Sequence, residues 1–185
     1  LRRQKSSREL IVIHLMGQHF YYHQRCPKAI SPFSDVDDGV RKQLIEQKRL
    51  PHILTARDEY DNAIYCGADV LAQIMRTTQA LRADRSVSVL YFSDHGQEVG
   101  HNDNFSGHTQ KHLSGYSIPV LLWVNDHWVN HYPEIYAERA FRSDWLDHAV
   151  QGLLGIRSAW YDARYDVLAS DYAPAESAMP ILSHD

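Results

Sequence analysis

The sequence is short of sulfur, of long apolar runs and of positive charge, and each shortage removes a class of function. It carries two cysteines, Cys26 and Cys66; one bridge in an oxidising compartment and two free thiols are both compatible with that number. No apolar run approaches the roughly 18 residues that span a bilayer. Leu1 is followed by charges rather than by an apolar stretch, so no secretory signal is visible. A formal net charge of −4 leaves no basic footprint, which argues against a nucleic-acid partner. The basic cluster Arg2, Arg3, Lys5 and Arg8 is short and terminal and reads as a solvated tail. There is no internal repeat and no low-complexity segment. The chain does not begin with Met and reads as a piece of something longer, so missing targeting segments say little about its parent.

What is present is an ordinary globular composition. Apolar residues make up 44% and charged residues 23% of 185 residues, enough for one domain with a real core and too few for two. Three segments read as buried strands: Glu9 to Leu15, Ser86 to Phe92 and Ile118 to Val124. Near-continuous apolar runs of this kind suit strands covered on both faces, as in a parallel α/β sheet. Pro119 places its position at a strand start or on an edge. Between the first two runs the spacing predicts a helix over roughly Ala56 to Leu81. Its apolar face is Tyr60, Ile64, Gly67, Leu71, Ile74, Thr78 and Leu81, with Thr55 and Asp58 at capping-box spacing. Strand, helix, strand predicts a right-handed crossover between parallel strands. A shorter amphipathic piece lies around Val40 to Leu50. A last helix runs from about Asp144 to Leu154, with Ser143 as N-cap and Gly155 as terminator. The tail after Trp160 is expected to wrap the surface.

Histidine carries the chemistry. Of twelve, His14, His19 and His23 form one group and His95, His101, His108 and His112 another. In open α/β sheets, ligands bind beyond the carboxyl ends of strands, and both groups follow apolar runs. Asp94-His95 sets a hard oxygen beside an imidazole nitrogen, and Gly96 would allow the turn that lets both converge on one ion. Such a ligand pair suits zinc or manganese better than calcium; the alternative is a helix-capping Asp94 and a surface His95. His14 and His19, separated by a glycine-containing loop, could stabilise charge on a phosphoryl group, or be an edge-of-core and an exposed histidine. His108 sits in a Gly/Asn/Asp/Ser-rich loop that could fold over the same site. His23, His101 and His112 are read as surface residues.

Several stretches together resemble the phosphoethanolamine transferases of the alkaline-phosphatase/sulfatase superfamily. They are Ile11 to His19 followed by Tyr22, Arg25 and Pro27; Tyr60-Asp61-Asn62 with Asp69; Ser93-Asp94-His95-Gly96-Gln97-Glu98-Val99; Gly107-His108; Ile118-Pro119-Val120; and Leu153-Leu154-Gly155-Ile156. The resemblance spans about residues 9 to 157, with the motifs in order. Gln18, Gln97 and Cys26 depart from the pattern, which usually has Ser, Glu and Tyr there.

The resemblance implies an α/β fold with a mostly parallel sheet flanked by helices, incomplete at its N-terminus, the whole of residues 1–185 forming the C-terminal part of a sulfatase-like catalytic domain. It implies metal-dependent transfer of phosphoethanolamine from a phospholipid donor to an envelope lipid or lipopolysaccharide core, at the periplasmic face of a bacterial inner membrane. The Glu98-Val99 ending leans toward the members that act on core heptose. Asp94 and His95 would be two ligands of zinc, with manganese as the alternative metal. His19 and His108 would meet the phosphoryl group or a second metal, and His14 would lie in the same pocket. The family's nucleophile, a further carboxylate ligand and the membrane helices lie upstream of the first run. The isolated chain is accordingly expected to be inactive. A sulfatase or phosphoglycerol transferase of the same fold, and a non-catalytic module binding an anionic headgroup, are the competing readings.

Overall fold

The computed structural model describes residues 8–81, 85–129 and 139–175. Most of the basic cluster (Arg2, Arg3, Lys5), the side chain of Leu81 and the end of the tail lie outside them. The chain divides into two compact units: one is built on Leu15–Asn125, the other on the segment up to His14 together with the residues from Asp126 onward.

In the unit Leu15–Asn125, Asp38 caps helix α1 (Gly39–Glu46) by accepting from the Arg41 N–H at 2.8 Å. The long helix α2 (Pro51–Leu81) begins five residues before the expected start. Proline suits the first position of a helix, where its missing N–H is not needed. The expected capping box does not form, because the Thr55 hydroxyl donates back to the Pro51 carbonyl (3.3 Å) and Asp58 pairs with Arg41 instead. The buried stripe of α2 passes through Ile53, Tyr60 and Ala63, whereas Ile64 is exposed. The small Ala63 side chain leaves room for Tyr22 to pack on the helix beside Tyr60. Tyr22, Ala63 and Val99 form the buried cluster, with the Tyr22 and Tyr60 rings edge-to-face at 5.1 Å. The loop before α1 is tied to α2 by a Cys26–Cys66 disulfide, with Cα atoms 5.6 Å apart.

Strand β1 (Ser88–Phe92) is followed by two short strands, β2 (Glu98–Val99) and β3 (Ser106–Gly107), and then by β4 (Val120–Val124). Pro119 stands immediately before β4, as expected of a strand start. β2 pairs with β3, and β1 with β4; both pairings are antiparallel. Register runs from Ser88 opposite Val124 to Phe92 opposite Val120. Buried Asn125 extends this ladder, donating from its backbone to Val87 O (3.1 Å) and from its amide to Arg85 O (2.7 Å).

The expectation of a mostly parallel sheet is therefore corrected among the described residues. The chain leaving Phe92 turns through β2 and β3 and re-enters at the same end of the ladder, which forces antiparallel pairing; a parallel partner would need a crossover. The first expected strand does not form either. Glu9 to Leu15 takes no strand assignment, and Val12 is 82% exposed. A strand exists only where a neighbour accepts its backbone bonds, and none of the described strands pairs with this run. Without it there is no strand–helix–strand crossover across α2.

In the other unit, α3 (Asp126–Val129) precedes a 3₁₀ turn at Ser143–Trp145 that leads into α4 (Leu146–Leu154). The Ser143 side chain does not cap; α4 ends, as expected, at left-handed Gly155, with the Ile156 N–H bonded to Gln151 O at 2.9 Å. The segment after Trp160 is held by specific bonds: buried Asp166 accepts from the Tyr161 hydroxyl at 2.8 Å, and Arg139 donates to Val167 O at 2.8 Å.

Candidate active site

The turn leaving β1 concentrates the chemistry. Gly96 is needed there for close approach rather than for an unusual φ: a Cβ would overlap the carbonyl oxygens of Ser114 and Ser117, and the Gly96 N–H donates to Gly115 O at 2.9 Å. Its own carbonyl orients two imidazoles. His95 Nδ1 lies 2.9 Å from Gly96 O and His108 Nδ1 a longer 3.5 Å away, with the ring centroids 4.1 Å apart. A carbonyl only accepts, so His95 Nδ1 is the donor, and in the neutral ring the lone pair sits on Nε2. That nitrogen lies 3.8 Å from Asp94 Oδ2, whose side chain is 87% exposed.

The turn is anchored from below by Glu98, which is 0% exposed. Its carboxylate accepts from the Ser114 hydroxyl (2.6 Å), the Asn102 amide (2.8 Å) and the Asn102 N–H (2.9 Å). Burial pushes this carboxyl up, but the three donors outweigh burial and hold it below the ordinary glutamate range. Tyr22 donates to Gln97 Oε1 at 3.2 Å, tying the turn to the core; burial pushes its phenol up to about 12.

His19 stands on a tight turn, its N–H bonded to Met16 O (3.0 Å) and its exposed ring directed at Phe20 O (3.4 Å). His14 is exposed and is the last residue of its segment in the other unit. The structure thus brings His95, His108 and Asp94 to one turn; no group of three or more His, Cys, Asp or Glu side chains poised around a metal is found among the described residues. Tyr60-Asp61-Asn62 has a packing role: Asp61 pairs with Arg57 at 2.9 Å, and buried Asn62 accepts from the Phe33 N–H at 3.1 Å. Of the histidines read as surface, His112 pairs with Asp103 at 3.1 Å, and burial, then the Arg57 charge, hold His101 below its ordinary range. Glu98 was legible only as part of a motif, since nothing in its spacing marks a buried carboxylate.

With this geometry in view, the sulfatase family model matches residues 1–155. The chain belongs to the sulfatase family. Among sulfatase-family relatives, it is 28% identical over 173 residues to the phosphoethanolamine transferase EptC of Escherichia coli (strain K12), covering 87% of this chain and 28% of the relative. It is 29% identical to the phosphoethanolamine transferase CptA of Salmonella typhimurium, covering 84% of this chain and 27% of that protein. The C-terminal periplasmic domain of E. coli EptC, solved in complex with zinc, superposes with a TM-score of 0.75 at 25% identity. That match covers 86% of this chain and 44% of the solved one. This chain therefore spans little more than a quarter of the length of the curated relatives it matches.

The donor chemistry on the turn fits zinc in part. A carboxylate oxygen and an imidazole Nε2 are good zinc donors, and the bond from His95 Nδ1 to the Gly96 carbonyl fixes the orientation of the ring. They would supply two of the three or four ligands such a site needs.

Proposed function

We propose that the protein carrying this chain transfers phosphoethanolamine from a phospholipid donor to an envelope lipid or lipopolysaccharide-core acceptor on the periplasmic side of the inner membrane. The observation that carries the reading is the pairing of His95 and His108 at the Gly96 carbonyl, with Asp94 adjoining His95, in a sulfatase-family chain. Asp94 and His95 would hold zinc, and the zinc in the solved relative supports that metal over manganese. Zinc bound there would polarise phosphoryl oxygens and acidify a hydroxyl nucleophile. His108, its Nδ1 turned toward Gly96 O, offers Nε2 to a phosphoryl oxygen or to the leaving oxygen as proton donor. His19 is assigned to the same phosphoryl group. The Cys26–Cys66 bridge agrees with an oxidising, extracytoplasmic setting.

The test is phosphoethanolamine transfer by the intact protein, with bound zinc measured in parallel. Asp94→Ala and His95→Ala should abolish transfer and lower zinc content. His19→Ala and His108→Ala should cut turnover about 100- to 1000-fold with zinc retained. Full activity in His108→Ala would overturn the assignment of the turn.

A further inference from the structure

A cavity of about 400 Å³ opens beside the β3 strand that leads into His108. Its size is that of a small-molecule site, for which roughly 300–1,000 Å³ is usual. Aromatic faces dominate it: Phe20, Tyr21 and Phe105, with Glu59, His23 and His52 completing the rim. Phe105 and Ser106 of the wall sit two and three residues before His108, and the ring of Phe105 lies against Gly107, 3.4 Å from where a Cβ would be.

We infer that this cavity is an ammonium site, taking the cationic end of an ethanolamine-type headgroup. The described residues lining it include one carboxylate, Glu59, and no Lys or Arg. A cation is attracted to the negative face of an aromatic ring within about 6 Å of its centroid, and a carboxylate at the rim supplies the formal countercharge. Glu59 sits 3.6 Å from His23 Nδ1, a distance loose enough for a primary ammonium to compete.

Backbone geometry shows that the aromatic panel is built rather than incidental. Tyr21 occupies the left-handed region at φ 66°, rare for an aromatic residue and sustained only when its surroundings impose it. Arg25 braces the residues just before it, donating to His19 O at 3.2 Å and to Phe20 O at 2.9 Å. The result sets the Phe20 and Tyr21 rings 4.7 Å apart, with Tyr21 57% exposed, on the side where the cavity opens. Phe20 meets the Tyr22 ring of the buried cluster edge-on at 6.0 Å, whereas Tyr21 stands outside that cluster and is left to line the cavity.

That the ammonium is ethanolamine's rests on the phosphoethanolamine reading; recognition of an organic ammonium does not. The experiment is isothermal titration of the intact protein with ethanolamine and, separately, with ethylene glycol, its neutral analogue. Variants are Glu59→Gln, Tyr21→Gly and the double. Glycine suits φ 66°, so Tyr21→Gly removes the ring without asking the backbone to move. Ethanolamine should bind saturably and ethylene glycol should not. Each single variant should weaken ethanolamine about 3-fold and the double about 10-fold. Equal binding of the two ligands, or wild-type ethanolamine affinity in the double variant, would overturn the site. Ethanolamine binding with this pattern in a protein that transfers no phosphoethanolamine would leave the site standing and sink the transferase reading. Transfer with an unchanged KM for phosphatidylethanolamine in the double variant would do the reverse.

Discussion

Removing the Glu98 carboxylate should loosen the turn that carries His95 and His108, and the cost can be worked out from its three partners. Hydrogen bonds to a charged acceptor contribute about 1.5–3 kcal/mol each, so three of them give an upper bound well above what one substitution usually costs. Two effects reduce that bound. The charge need no longer be desolvated, and the Asn102 amide lies 3.4 Å from the Ser114 hydroxyl, so these two donors can partly satisfy each other. The Asn102 backbone N–H, which gives its bond to Glu98 Oε1 at 2.9 Å, gains no partner from that exchange. Glu98→Ala should therefore destabilise by about 3 kcal/mol, and Glu98→Gln, which keeps the shape and one acceptor, by about 1–2 kcal/mol. The sign with pH follows from the depressed folded pKa. Glu98's contribution is fully present above the ordinary glutamate pKa of about 4.3 and is lost as pH falls through the lower folded value. The gap between wild type and Glu98→Gln should be widest at neutral pH and close in acid. Urea unfolding midpoints at neutral pH and in acid, read with intrinsic fluorescence, measure both. A midpoint for Glu98→Ala within about 0.5 kcal/mol of wild type, or a gap that does not change with pH, would refute the anchoring argument.

Two further outcomes test the packing. The Cys26–Cys66 bridge closes a loop with a sequence separation of 40, so replacing both cysteines by serine should lower stability by about 4 kcal/mol on the chain-entropy account; thermal unfolding of the double variant against oxidised wild type measures it. Gly152→Ala would drive a methyl into the Asp166 carboxylate and should cost about 2 kcal/mol. Gly39→Ala, in open space in the first turn of α1, should instead stabilise by about 0.5 kcal/mol, and denaturant titration of the pair separates crowding from helix propensity.

The sequence by itself determined the long helix over most of its length, the shorter helix ending at Gly155, strands β1 and β4, and the turn that follows β1. These are properties of local backbone preference and of the spacing of apolar side chains, and both are written in neighbouring residues. Tertiary structure alone decided the rest. Glu9 to Leu15 has the composition of a buried strand but forms none, because a strand needs a neighbour and no local pattern supplies one. The ladder of β1 and β4 is antiparallel because the chain between them returns at one end of the pair. Spacing cannot say whether Cys26 meets Cys66, that Ala63 rather than Ile64 meets Tyr22, or that Glu98 is sealed beneath the turn. Each of those depends on segments far apart in sequence competing for the same few ångströms of space.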